Sequence, residues 1–102
     1  MSWQKWEDMN LPTLFKLGKY RIFFWSNETN EPVHIHVCEG TPTDNSTKIW
    51  LTQNGGFVVA NNNSRIPQND LNGILKMLQI HYFLICSKWK AYFSTDELKF
   101  YC

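Results

Sequence analysis

The chain has little net charge, few arginines and no long apolar run, and each shortage argues against a class of protein. Its 102 residues include 10 basic and 9 acidic side chains, for a formal net charge of +1. We therefore expect no long nucleic acid as a partner, since no overall basic field would attract one. A short RNA or a nucleotide remains compatible with the chain, because stacking and one or two arginines suffice to hold it. The only arginines are Arg21 and Arg65.

Membrane segments and export signals are also lacking. The longest apolar stretch, residues 74–86, is interrupted by Lys76, Gln79 and His81 and is too short to span a bilayer. The first ten residues show no basic region followed by an apolar run, so they do not resemble a signal peptide. The three cysteines form no paired-cysteine motif, which argues against a disulfide framework or a zinc ribbon. We expect a cytoplasmic protein that does not contact a membrane and carries no cofactor.

Aromatic residues, in contrast, are abundant. They make up 16% of the chain, with five Trp, four Tyr and seven Phe. We expect residues 1–102 to form a single domain, whose core is too small to hide so many rings. Some of these rings should therefore lie at an interface or line a ligand surface.

The sequence up to residue 60 predicts a sheet. Alternating or aromatic-rich runs cover residues 12–18, 20–26, 33–38, 48–52 and 57–60. Short polar turns separate them, and Asn54-Gly55-Gly56 is a strong turn signal. Consecutive strands joined in this way most simply form an antiparallel meander.

One long helix is predicted after the strands. Pro67 suits a first helical position, Asp70 suits the first turn, and apolar residues then recur at three- and four-residue steps. The helix should run to Trp89 or Tyr92, with Trp89 in the core, and a short final helix could follow over residues 94–101. The predicted fold class is α+β: an antiparallel β-meander of four to five strands with one long C-terminal helix packed on one face.

The stretch EPVHIHVCEG, residues 31–40, holds the main candidate site. In a strand, Val33, Ile35 and Val37 share one face, while His34 and His36 share the other. We expect the apolar face to meet the helix and the histidines to be half-exposed on the opposite surface. Two imidazoles at positions two apart stand roughly 7 Å from each other, so they can converge on one ion or one phosphate.

Three roles stay open for this pair. The histidines can pack and hydrogen-bond on an open face, bind a phosphate-bearing or planar ligand, or serve in metal binding or acid–base chemistry. A metal held by His34 and His36 would need further ligands, such as Glu31, Glu39 or His81. His81 itself is more typical of a core histidine than of a ligand.

Four further residues are candidates for a ligand-binding face. Arg21 suits a phosphate, although an arginine between aromatics also stacks or pairs at surfaces. Lys48 and Trp50 share a strand face and could form a stacking platform, and cross-strand packing is the alternative. The predicted ligand-binding set is Arg21, Trp25, Glu31, His34, His36, Lys48 and Trp50. Whether the histidines share a surface with Arg21 depends on strand register, because a one-residue slip would invert it.

The run LPTLFKLGKYRIFFWSNETNEPVHIHV, followed by KIWL and by a helix ending in tryptophan, resembles a small bacterial family described as domain of unknown function 4160. The matching positions are Pro12, Thr13, Phe15, Gly18, Tyr20, Arg21, Phe23, Phe24, Ser26, Asn27, Glu28, Glu31, Pro32, His34, His36, Val37, Trp50 and Leu51. The resemblance covers about residues 11–93, so residues 1–10 and 94–102 would be terminal extensions. It supports the shared histidine motif as the site.

The resemblance carries over no established activity. Members of the family are often encoded beside another small protein, an arrangement that resembles toxin–antitoxin or phage-defence modules. It therefore implies a setting and a small partner protein, and it leaves the chemistry of the motif open.

The leading hypothesis is a small non-enzymatic binding or regulatory protein of a mobile-element or phage-conflict system. It would bind a partner protein, or sequester a nucleotide-like ligand, through a face with Arg21, His34, His36 and Trp50. One alternative is a toxin-like nuclease or phosphodiesterase in which the two histidines move protons and Arg21 neutralises phosphate charge. Another is a structural homo-oligomer with packing histidines, and the apolar residues 82–85 could then add a self-association surface.

Overall fold

Five strands form one antiparallel sheet in the order of the sequence. The structure is a computed structural model that describes residues 13–25 and 30–102. The strands are β1 (Thr13–Leu17), β2 (Tyr20–Phe23), β3 (His34–Glu39), β4 (Thr47–Leu51) and β5 (Phe57–Asn61). Their order in the sheet is β1-β2-β3-β4-β5, and every neighbouring pair is antiparallel. The predicted meander and its fifth strand are confirmed.

Two helices follow the sheet, so the prediction of one long helix was wrong. They are α1 (Gln68–Ile80) and α2 (Tyr82–Phe93), and His81 separates them with φ −107° and ψ 19°. The N–H of His81 donates to the Leu78 carbonyl, which closes α1 with a tight turn, and the His81 carbonyl accepts from Ile85 in α2.

The break between α1 and α2 fits the helical region to the width of the sheet. A straight helix over residues 68–93 would be about 39 Å long, whereas five paired strands span only about 19 Å. The apolar repeat continues through the break, from Leu78 to Tyr82 and Ile85, and all three are buried. Two shorter helices can therefore cover the same sheet face, and neither proline nor glycine marks the break in the sequence.

The core lies between the helices and one face of the sheet. The alternation in β3 buries Val33, Ile35 and Val37 fully on this side, as the sequence predicted. The buried residues that meet them from the helices are Leu71, Ile74, Leu78, Tyr82, Ile85, Cys86 and Trp89. The prediction that Trp89 belongs to the core is confirmed.

Two tyrosine hydroxyls join the layers. The Tyr20 hydroxyl in β2 donates to Asp70 Oδ2 in α1 at 2.6 Å. The buried Tyr82 hydroxyl in α2 donates to the Thr52 carbonyl just after β4. Each bond fixes the position of one helix over the sheet, because it satisfies a polar group at the edge of the apolar core.

Residues 94–102, the C-terminal segment, contain no helix, so the predicted final helix was wrong. Ser94 ends α2 in the left-handed conformation, with φ 52° and ψ 49°. The carbonyl of Lys99 then accepts from the Val33 N–H at 2.8 Å, and that of Cys102 accepts from the Gln53 N–H at 3.0 Å. These backbone bonds hold the segment across the end of the sheet where β3 begins and β4 ends.

Within the part of the chain that the structure describes, neither α1 nor α2 has the length and apolar character that a membrane-spanning helix needs.

We predict that the Tyr20–Asp70 bond makes stability depend on pH in the alkaline range. Hydrogen bonding to Asp70, then burial, raises the pKa of Tyr20 from 10.0 to about 12. The folded state therefore favours the neutral phenol, and its stabilising effect is complete below about pH 10 and is lost as the pH rises towards about 12. Tyr20→Phe should be less stable by about 1 kcal/mol at pH 7, and this difference should shrink between pH 10 and 12 in urea unfolding.

Asp70→Asn is the matched control, because it keeps the phenol and removes the carboxylate that raises the Tyr20 pKa. In this variant the Tyr20 pKa lies closer to its value in the unfolded chain, so the free energy of unfolding should fall less between pH 10 and 12 than in the unaltered protein. If the difference in free energy of unfolding between the unaltered protein and Tyr20→Phe stayed constant up to pH 12, the Tyr20–Asp70 bond would not be the source of the pH dependence.

Candidate functional site

The strand register places the predicted site residues on one face of the sheet, opposite the core. Between β2 and β3, Arg21 pairs with Cys38 and Phe23 pairs with His36. Between β3 and β4, His34 pairs with Trp50 and His36 with Lys48. Directly paired residues point to the same side. The histidines therefore share a surface with Arg21, which the sequence alone left undecided.

The histidines are buried, so the expectation of half-exposed side chains was wrong. His34 is 1% exposed and His36 is 6% exposed. Their ring centroids lie 4.9 Å apart in an edge-to-face arrangement. Aromatic rings surround both: Phe23 stacks on His36 at 5.6 Å, and Trp50 and Trp89 each lie 5.4 Å from His34. The face is thus an aromatic cluster, and the imidazoles are part of its packing.

One hydrogen bond fixes the tautomer of His34. Its Nδ1 lies 2.8 Å from the carbonyl oxygen of Pro32, and a carbonyl can only accept. Nδ1 therefore carries the hydrogen, and in the neutral ring Nε2 is the basic nitrogen. Pro32 precedes β3, so the turn that starts the strand also orients this ring.

A metal centre at this pair lacks further ligands among the described residues. No group of three or more His, Cys, Asp or Glu side chains is placed to hold a metal ion within residues 13–25 and 30–102. The sequence suggested Glu31, Glu39 and His81 as additional ligands. Instead, Glu31 contacts Lys48, Glu39 lies near Lys19, and the His81 ring lies 5.0 Å from that of Phe15.

Trp50 is the centre of a second group of contacts. The Lys48 Nζ lies 4.2 Å from the centroid of the Trp50 ring, a cation–π contact. The same Nζ donates to Glu31 Oε1 at 2.7 Å. The ring of Tyr101, from the C-terminal segment, stacks on Trp50 with centroids 4.9 Å apart and planes 5° from parallel. We call Lys48, Trp50 and Tyr101 the stacking platform.

Arg21 lies at the other end of the face, away from the stacking platform. Strand geometry separates the α carbons of Arg21 and Trp50 by about 16 Å, two strands across and four residues along. The nearer neighbour of Arg21 is its partner Cys38. Burial raises the pKa of the Cys38 thiol, and a hydrogen bond with Ser46 and the charge of Arg21 only partly offset this. Cys38 is therefore a buried thiol, which argues against a nucleophile.

Trp25 joins the aromatic cluster from just beyond β2. Its ring lies edge-to-face with Phe23 at 5.2 Å and 6.1 Å from His36. Unlike the histidines, Trp25 is half-buried, so part of its ring reaches the surface. The structure therefore brings together Trp25, Glu31, His34, His36, Lys48 and Trp50, and it places Arg21 on the same face at a distance from the stacking platform.

Sequence reasoning missed Tyr101 as a member of the site. A signal was present, because the tail alternates: Leu98 and Phe100 pack against the core, whereas Lys99 and Tyr101 are exposed. That alternation is typical of an extended segment lying on a surface. The Ser-Thr-Asp-Glu run before it favoured a helix cap instead.

Comparison with known proteins identifies one family. The model of a family described as domain of unknown function (DUF4160) matches residues 20–90, which include β2 to β5, α1 and most of α2. No match was found among curated proteins or among solved structures.

We predict that His34 contributes more to stability than its position opposite the core would suggest. His34→Ala would leave a cavity among Trp50, Trp89 and His36 and remove the bond to Pro32, so it should cost about 2–4 kcal/mol in urea unfolding. His34→Asn is the matched variant, since its amide can still donate to that carbonyl, and it should cost less. Equal losses for both variants would show that the bond to Pro32 contributes nothing.

Proposed function

The chain belongs to the DUF4160 family, whose description states no activity, and we propose that it is a non-enzymatic binding protein for a nucleotide-like ligand. The ligand would be a planar base with a phosphate, held on the stacking platform. Tyr101, held parallel on Trp50, would stack on the base with its solvent-facing side, and Lys48 would bind the phosphate.

One observation carries the proposal: a half-buried tryptophan already holds a parallel aromatic ring and a cation. Tyr101 stacks on Trp50 in nearly parallel planes, 4.9 Å between centroids, which is the arrangement a base adopts on an aromatic side chain. Tyr101 is 61% exposed, so this stack opens to solvent. A base can lie against it without disturbing the core.

The charges around the stacking platform support an anionic ligand of limited size. Lys48 contacts Trp50 and is paired with Glu31, so a bound phosphate would compete with one carboxylate for one ammonium. Arg21 is too far away to contact the same monophosphate, and only a longer ligand, such as a dinucleotide, would span both. The net charge of +1 gives no general attraction to long nucleic acids.

The burial of the histidine pair supports binding over phosphodiester chemistry. A general acid or base has to reach the proton that it transfers, within about 3 Å. His34 and His36 are almost fully enclosed, and Nδ1 of His34 is bonded to Pro32. In our proposal the pair supports the Trp50 ring from beneath and does not touch the ligand.

The proposed setting rests on the gene arrangement in the DUF4160 family, which resembles that of toxin–antitoxin or phage-defence modules. We infer a cytoplasmic protein that sequesters a nucleotide-like signal in a mobile-element or phage-conflict system. Sequestration needs affinity and slow release, and it needs no catalytic group.

The proposal predicts a specific pattern of affinities in calorimetric titrations with adenosine 5′-monophosphate, guanosine 5′-monophosphate and adenosine. Trp50→Leu removes the ring that holds Tyr101 in place and should weaken all three by about 5- to 150-fold, since stacking on one aromatic side chain contributes about 1–3 kcal/mol. Lys48→Gln should weaken the two nucleotides and leave adenosine unchanged. Glu31→Gln should tighten the nucleotides, because it removes the carboxylate that competes for Lys48.

Phe83→Ala is the control, because it removes an exposed ring from the helices and should change no affinity for these ligands. Incubation with a dinucleotide, followed by mass spectrometry of the products, separates the alternatives. Cleavage of its phosphodiester bond would favour the nuclease or phosphodiesterase alternative. The absence of any binding, with a second protein co-purifying in native mass spectra, would favour a partner protein at this face.

A further inference from the structure

The outer surface of the helices exposes large apolar side chains at the junction of α1 and α2. Ile80 is 79% exposed, Phe83 81% and Leu84 43%. All three lie on the helices, within five consecutive residues across the break. Scattered apolar residues are normal on surfaces, but three large apolar side chains this exposed in so short a stretch are typical of an interaction site.

A groove begins beside Phe83 and runs between α2 and the C-terminal segment. It encloses about 320 Å³. We call it the helix-side groove. Tyr82 and Cys86, both largely buried, form its floor, and Leu98 and Phe100 form the wall opposite α2. Its described lining residues are Gln53, Tyr82, Phe83, Cys86, Ser87, Lys90, Leu98 and Phe100.

The charge along this surface has one sign. The helix-side groove is apolar at Phe83 and ends at the exposed Lys90, seven residues further along α2. None of its described lining residues is acidic. The only acidic residue of α1 and α2, Asp70, is engaged by Tyr20. The described lining of the groove is therefore largely apolar, and Lys90 is its one charged residue.

We propose that the helix-side groove is the docking site for an acidic amphipathic segment of a partner protein. One apolar side chain of the segment packs between Phe83 and Phe100, and a carboxylate binds Lys90. The distance from Phe83 to Lys90 along α2 is about 10 Å, which matches two turns of a helix in the partner. Recognition of this kind uses apolar anchors at three- and four-residue spacing.

Charge complementarity favours this occupant over a second copy of the chain. A symmetric dimer brings the same groove of each subunit together, and because Lys90 is the only charged residue in the described lining, the groove of a second copy offers it no carboxylate. Like charges at such an interface cost free energy and suppress the wrong partner. An acidic segment instead gains both the apolar contact and the ion pair.

The test uses two synthetic helical peptides of 14 residues and ¹⁵N-labelled protein. One peptide carries Leu and Phe at i, i+3, i+4 and i+7 with Glu at the flanking positions, and the other has Lys in place of every Glu. The acidic peptide should shift amide signals along α2 and residues 98–100, and the lysine peptide should not. Phe83→Ala should weaken the acidic peptide about tenfold, and Lys90→Glu should reverse the preference between the peptides.

Lys16→Glu is the matched control, because it reverses the charge of an exposed lysine in β1 that does not line the groove, and it should leave both titrations unchanged. Equal binding of the two peptides, or no effect of Phe83→Ala, would overturn the proposal. So would a concentration-dependent dimer in sedimentation that Phe83→Ala abolishes, since a second copy would then occupy the patch. Binding to vesicles of anionic lipid through Phe83, with no peptide binding, would also refute it.

Discussion

The pairing of β3 between β2 and β4 is the constraint on which the rest of the structure depends. In the observed register Val33, Ile35 and Val37 face the helices, and His34 and His36 face the aromatic cluster. A slip of one residue would exchange the two sets. It would remove three fully buried aliphatic side chains from the core at roughly 1.5–3 kcal/mol each, and it would also take the two histidines out of the aromatic cluster.

The sheet was predictable because its determinants are local. Alternation, aromatic content and the Asn54-Gly55 turn act over a few residues, and Gly55 adopts the positive φ of 94° that such a turn needs. The break at His81 was not predictable, because the apolar repeat passes through it and the length of the sheet decides where the helix must turn. The burial of His34 was also hidden, since it depends on Trp89, which lies 55 positions further along the sequence.

The aromatic residues lie in two kinds of position, enclosed and exposed. Phe23, Phe24 and Trp89 are fully enclosed or nearly so, and they fill the two sides of a thin sheet. Tyr101 and Phe83 are largely exposed, one at the histidine face and one on the helices. The composition predicted that some rings would lie on surfaces, but it could not indicate which rings these are. Exposure of Phe83 follows from its place on the outward side of α2, where no other layer of the described structure covers it.

The C-terminal segment touches both surfaces that carry ring systems. Leu98 and Phe100 form a wall of the helix-side groove, whereas Tyr101 lies on the other side of the segment and stacks on Trp50. Nine residues held by two backbone bonds to Val33 and Gln53 thus belong to two sites at once. A ligand that binds only to the docked segment stabilises the docked state, and a second ligand with the same requirement then binds more tightly. This heterotropic linkage is reciprocal, so each of the two ligands strengthens the binding of the other by the same factor.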